Sequence, residues 1–246
     1  VRLLSGEAAW QLLRNTRIIL FGVGGVGSWC AEALVRSGVG ALTIVDFDTV
    51  CETNINRQVQ ATGDSVGEWK VDALARKLRS IDPDVAITAL HDKYERGAGD
   101  RFGLSKYDYV VDAIDSLSAK VDLIISAGEA NVRLFTALGA GGRVDPTLLR
   151  VAPLRKSHGC RLGRMVRKRL HRRGYTGNPL CVFSEELSLR QNVRCDGEDS
   201  DDDEGGGDPP RINGSMVHVT GCAGFFLAGL VIQDVISRAQ DGCERG

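Results

Sequence analysis

No two of the seven cysteines (Cys30, Cys51, Cys160, Cys181, Cys195, Cys222 and Cys243) stand in a C-x-x-C pair. That pairing is the usual frame of a structural zinc knuckle, so no structural zinc is expected. The odd count and the lack of a signal-peptide pattern favour a reducing, cytoplasmic setting. No internal repeat is visible, which argues against a solenoid. The net charge is only −1, so no overall excess of one sign marks a partner. The most apolar stretch, residues 216–236, is interrupted by His218 and by Gln233 and Asp234. It therefore falls short of the roughly 20 apolar residues of a membrane span. It reads as a helix buried on a sheet or at a dimer interface, with membrane contact as the alternative.

What is present is enough for one large α/β domain: 246 residues, 43% of them hydrophobic, with 30 glycines. Strand-like and helix-like runs alternate up to Leu154, which predicts a doubly wound, mostly parallel sheet with a C-terminal extension. Strands are expected at residues 18–21, 42–45, 85–90, 107–112 and 132–138, and helices at 6–13, 28–37 and 68–80. Between the first strand and its helix lies Gly22-Val23-Gly24-Gly25-Val26-Gly27. Such glycines let the backbone turn sharply and bring free N–H groups to a phosphate at the helix start. Asp46 follows about 20 residues on, where an acid meets ribose hydroxyls. The loop and Asp46 predict a nucleotide and leave NAD and ATP both open.

The next segment favours ATP. Asn54, Asn56, Arg57 and Gln58 form a polar cluster past the second strand, and Arg57 offers a planar fork for phosphate oxygens. Lys70 adds a point charge at a helix start. The fourth strand runs into Asp112-Ala113-Ile114-Asp115-Ser116, and strand carboxyl ends converge on the ligand crevice in such sheets. Cations and acids in one crevice suit phosphoryl or nucleotidyl transfer. Hydride transfer has no evident need for Asn54, Arg57 and Lys70.

The order G-x-G-G-x-G, D-x-D, N-x-x-R-Q, a helix-start lysine and D-x-x-D resembles the ubiquitin-activating-enzyme superfamily, with its ThiF, MoeB and HesA adenylyltransferases. Within it, Thr53-Asn54-Ile55-Asn56-Arg57-Gln58, Asp112-Ala113-Ile114-Asp115-Ser116, residues 139–147 and residues 211–215 are similar to the tRNA threonylcarbamoyladenosine dehydratases. The likeness covers about residues 2–237. It implies an ATP-dependent reaction in which the threonyl carboxylate on adenosine 37 of tRNA is activated as an acyl-adenylate. An internal nucleophile then closes a ring with net loss of water.

The resemblance also implies residue roles. Gly22, Gly24, Gly25 and Gly27 hold phosphate, and Asp46 binds ribose, with Asp48 a weaker candidate beside it. Asn54, Arg57, Gln58 and Lys70 serve the phosphates, and Asp115 holds Mg²⁺. Arg57, Lys70 and Asp115 are the catalytic set, and Asp112 supports from behind. It further implies a homodimer in which an N-terminal arginine, here Arg2, reaches the partner's ATP. It leaves room for a monovalent cation and for a sulfur- or electron-relay protein partner.

The charge is strongly polarised. Between Arg155 and Arg173 stand nine Lys or Arg, two His and no acid. Arg161, Arg164, Arg167, Lys168 and Arg172 recur at helical spacing, as suits an RNA backbone. Residues 196–210 are crowded with acids and hold three consecutive glycines and two prolines, the composition of a disordered loop. The expected division is an ATP-binding core at 1–154, a basic helical insertion at 155–195, the acidic loop, and a strand and apolar helix at 211–246 completing the same domain. Cys181 is the best candidate for a catalytic thiol, though a buried small residue is the expected reading. The rival functions are activation of a sulfur-carrier or ubiquitin-like protein C-terminus, NAD-dependent oxidoreduction, and nucleotide binding without catalysis. The missing C-x-x-C pairs and the basic helix speak against the first.

Overall fold

In a computed structural model, residues 1–187 and 214–243 are described. The acidic segment, residues 211–213 and Cys195 lie outside them. Strand β1 (Arg17–Phe21) shows how the sequence dictates the layers. Its side chains alternate between two faces, and all four from Ile18 to Phe21 are buried. Both faces must therefore be covered, which is the condition of a central strand in a parallel sheet.

The helices that cover them are α1 (Arg2–Asn15), α2 (Gly27–Arg36), α3 (Lys70–Ile81), α4 (Gly99–Phe102), α5 (Leu117–Glu129), α6 (Arg161–Arg172) and α7 (Val217–Cys243). The strands after β1 are β2 (Ala41–Asp46), β3 (Ala86–His91), β4 (Tyr109–Asp112), β5 (Arg133–Ala137), β6 (Leu149–Pro153) and β7 (Leu180–Ser184). One core gathers Ile18 and Leu20 with Leu34 of α2, Leu74 of α3 and Leu227 of α7. The other gathers Ile19 and Phe21 with Ile124 of α5 and Val166 and Leu170 of α6.

The sheet order is β3-β2-β1-β4-β5-β7-β6. All pairs are parallel except β6 with β7. The chain moves outward one way through β2 and β3, then returns to the other side of β1 at β4. A ligand crevice opens at such a reversal, beyond the strand carboxyl ends.

The α/β class and the first five strands agree with expectation, but several boundaries and one region differ. The first helix runs from Arg2, with Gly6 breaking it at φ 83° and ψ 169°. The region expected as a helical insertion also contributes β7, which seats beside β5. β6 folds back on β7 and caps that edge of the sheet. Of the C-terminal part, the described residues form α7. This helix is long and apolar enough to cross a membrane, yet it packs on α2, α1 and β5 with Val219, Ala223, Leu227, Val231 and Val235 buried. A core helix satisfies the same length and composition as a span, and its buried stripe is the reason here.

Candidate functional site

At the switch point the backbone itself builds the floor of the site. Gly22 lies at φ 84°, where a side chain would be strained. A Cβ there would also meet Ala113 O at 2.8 Å, and one on Gly27 would meet Gly22 O at 1.8 Å. Glycine at these two positions lets the loop fold tightly against β4 and lets α2 begin at once. The first turn of α2 then presents its amide N–H groups at the crevice. Gly27 does its work in the turn. Gly22, Gly24 and Gly25 line the cleft itself.

Asp46 ends β2, and its carboxylate accepts from the amides of Val23 at 2.8 Å and Asp48 at 3.0 Å. It thereby ties the glycine loop to β2. Burial pushes its carboxyl above the ordinary aspartate value, opposed by those two hydrogen bonds and by Lys70. Lys70, the first residue of α3, is buried, and its Nζ donates to Asp48 Oδ2 at 2.6 Å. The loop between β2 and α3 is held by side chains. Trp29 Nε1 of α2 donates to Arg57 O at 3.0 Å, and Gln60 Nε2 donates to Val23 O at 2.9 Å. Asn54 Oδ1 accepts from the Cys51 amide at 3.1 Å. The Arg57 guanidinium donates to Thr53 O and Asn56 Oδ1, which leaves other N–H groups for a ligand.

Asp46, Asp48, Asn54, Arg57 and Lys70 line one cleft of about 880 Å³, together with Gln58, Asp115 and Ser116. That volume falls within the range of small-molecule sites. The structure thus brings together Gly22, Gly24, Gly25, Asp46, Asp48, Asn54, Arg57, Gln58, Lys70 and Asp115 from five separate segments. Arg2 is not among the lining residues. It is exposed at the start of α1 and pairs with Glu7.

Asp115 is an exposed carboxylate on the loop after β4. That loop is fixed by Asp112, whose Oδ1 accepts the Ile114 amide at 3.0 Å. Asp112 Oδ2 accepts from Lys120 Nζ and from Thr136 Oγ1, both at 2.6 Å. Asp112 and Lys120 are fully buried. Asp112 is therefore a structural anchor for Asp115. Among the described residues no group of three His, Cys, Asp or Glu converges as a metal cage. Mg²⁺ is commonly held by one or two carboxylates plus phosphates and water, and Asp115 alone fits that pattern.

Some lining residues were not read from the sequence as site residues: Asp92, Lys93 and Tyr94 after β3, and Leu162, Ser215 and Thr220 farther on. The first three follow the carboxyl end of a parallel strand, and that rule alone could have found them. Lys93 Nζ lies 5.1 Å from the Phe47 ring centroid, over its face, and both line the cleft. Ser215 belongs to the 211–215 motif that marked the resemblance, whereas Leu162 and Thr220 arrive by tertiary packing and carry no local signal.

One side chain keeps its expected buried place, and another departs from its expected one. Cys181 is buried in β7, and burial pushes its thiol up to about 12, which keeps it un-ionised and a poor nucleophile at neutral pH. On α6, Arg161, Arg164, Lys168 and Arg172 are exposed along one stripe. Arg167 instead turns inward and donates to Ser157 Oγ at 2.6 Å. The helical spacing was right, but one cation of the row falls toward the face that buries Val166 and Leu170.

The arrangement brings a glycine-rich turn at a helix start, the Asp46 carboxylate, the Arg57 and Lys70 cations and the exposed Asp115 carboxylate to one cleft. Proteins of similar sequence and fold are known. The tRNA threonylcarbamoyladenosine dehydratase of Escherichia coli is 40% identical over 191 residues, 74% of this chain and 71% of that protein. The enzyme of the same name from Bacillus subtilis is 33% identical over 94% of this chain and 91% of its own. The crystal structure of the E. coli tRNA N6-threonylcarbamoyladenosine dehydratase in complex with ATP superposes with a TM-score of 0.85 at 33% identity, covering 98% of this chain and 93% of that one. The ThiF family profile matches residues 1–236, and the chain belongs to the ThiF family.

Proposed function

We propose that this protein activates the carboxylate of threonylcarbamoyladenosine at position 37 of tRNA with ATP and closes it into a ring with net loss of water. The observation that carries the reading is the convergence of Arg57, Lys70 and Asp115 on one cleft with the glycine loop and Asp46. The likeness in sequence and structure to the dehydratases supports the choice of substrate.

A carboxylate is a poor electrophile until one oxygen becomes a good leaving group. In the first step a carboxylate oxygen attacks the α-phosphorus of ATP, and pyrophosphate departs with its bonding electrons. Arg57 and Lys70 stabilise the charge that develops on the phosphates. Asp115 would hold Mg²⁺, which would supply charge neutralisation to the phosphates. In the second step an internal nucleophile of the carbamoyl group attacks the acyl carbon and loses a proton, and AMP leaves with the carboxylate oxygen. Asp46 orients the ribose throughout. The protein acts in the cytoplasm as a homodimer, with Arg2 completing the partner's ATP site.

The test is tRNA from a strain lacking the cyclic modification, incubated with the protein, ATP and Mg²⁺. Cyclised adenosine and stoichiometric AMP are expected. ATP–pyrophosphate exchange that needs a sulfur-carrier protein in place of tRNA would transfer the function to that class. ATP is expected to bind more tightly than NADH, and Mg²⁺ to strengthen it. Tighter binding of NADH by titration calorimetry contradicts the reading.

The exposed stripe of α6 serves the tRNA backbone in this reading. Changing Arg164, Lys168 and Arg172 together to Glu is expected to weaken tRNA binding and leave ATP binding intact. For every phosphate that is no longer neutralised, the slope of log affinity against log salt should become shallower by about 0.7–0.9. An unchanged slope in filter binding would place the RNA surface elsewhere.

A further inference from the structure

The strands that open on the cleft lie side by side in the order β2, β1, β4, β5. Their carboxyl ends carry, in turn, Asp46, the glycine loop, Asp115 and the segment 137–141. A nucleotide with its ribose at Asp46 and its phosphates over the glycine loop therefore points toward Asp115. The lobe beyond faces whatever reacts with that nucleotide. It is lined by Leu138, Gly139, Gly141, Leu162 and Ser215, a set without a charged side chain.

Immediately behind this wall is Arg143. It is only 4% exposed. Its Nη1 donates to Gly141 O at 3.1 Å and its Nη2 to Gly159 O at 3.4 Å. Its Nε is buried without a hydrogen-bond partner. Among the described residues no carboxylate pairs with it. Burying a guanidinium without a counter-charge is costly. One carbonyl belongs to the segment after β5 that lines the lobe, and the other to the turn that leads into α6, whose first turn carries the lining Leu162. The two segments touch, since a Cβ on Gly139 would lie 3.5 Å from Cys160 Sγ and 4.0 Å from Leu162 Cβ.

We propose that this lobe is the subsite for the substrate's carboxylate arm and that Arg143 is its positioning residue. The inference rests on the reading above that a carboxylate is adenylated. From one layer behind, Arg143 ties the Gly141 wall to the turn at Gly159 that leads into α6. Its charge, paired with no carboxylate among the described residues, makes a lobe lined without acids attractive to an anion, and the low dielectric of the interior strengthens that attraction. The carboxylate is then held in the lobe facing the α-phosphate it must attack.

The test uses the full chain and two tRNA preparations, with and without the threonylcarbamoyl group. Arg143→Met is expected to lower kcat/KM for the modified tRNA at least about tenfold. ATP affinity and binding of the unmodified tRNA should stay at wild-type values, and Arg143→Lys should recover part of the loss. Leu162→Glu leaves Arg143 in place and sets a negative charge in the lobe. It should reproduce the selective loss, which keeps the proposal testable if Arg143→Met fails to fold. Wild-type turnover of the modified tRNA by Leu162→Glu and by folded Arg143→Met overturns the subsite alone. So does an equal loss of binding for both tRNAs. Wild-type protein that cannot consume the modified tRNA overturns the parent reading, and the subsite with it.

Discussion

Replacing Lys120 by methionine is expected to destabilise the fold by about 3–5 kcal/mol, the scale for removing one partner of a buried ion pair. Lys120 Nζ spends all three donors inside the protein, on Asp112 Oδ2 at 2.6 Å, Thr136 Oγ1 at 3.1 Å and Ala137 O at 2.9 Å. Methionine fills similar space but leaves the Asp112 carboxylate uncompensated where no water reaches it. The cost lies in that stranded charge more than in the lost attraction. The double variant Asp112→Asn with Lys120→Met should therefore be much closer to wild type than Lys120→Met alone. Urea unfolding followed by circular dichroism reads both. An unchanged midpoint for the single variant would show that the pair contributes little. A double variant no better than the single would show that the stranded charge is not the cause.

Lys70→Ala and Arg57→Ala are each expected to slow the adenylation step by a factor equivalent to about 2–4 kcal/mol of transition-state stabilisation. Their effect on ATP affinity should be smaller, because the charge they meet grows as pyrophosphate leaves. Lys70 carries a complication visible only in the structure. Its removal also leaves Asp48 without its partner, and an unpaired carboxylate at the cleft repels ATP. Combining Lys70→Ala with Asp48→Asn separates the two effects. The double variant should regain ATP affinity and stay slow. Single-turnover kinetics with modified tRNA decides the matter. Full turnover by both folded single variants would remove these cations from the chemistry.

The sequence by itself determined the local devices. The apolar run at residues 18–21, ending in a glycine turn, reads as a strand covered on both faces. The glycines after it could only mark a tight turn into a helix. Asp46, Lys70 and Asp115 were legible because each sits next to a strand or helix end, where chain direction alone fixes what it faces, and Arg57 because it stands in a dense polar cluster. Periodicity also revealed the basic row of α6.

Only the tertiary structure decided the rest, because it depends on the meeting of segments far apart in the chain. Residues 180–184 fall in the region expected as a helical insertion, and the free edge of β5 makes them a strand. Arg167 shares its spacing with four exposed cations, and the nearby Ser157 hydroxyl turns it inward. Asp48 and Lys70 stand 22 residues apart and still meet at 2.6 Å. Arg143 follows a glycine run like any surface arginine, yet packing encloses it behind the cleft wall. A one-dimensional pattern encodes which face a side chain takes. What stands opposite that face is set by the order in which strands pair, and that order is a property of the whole sheet.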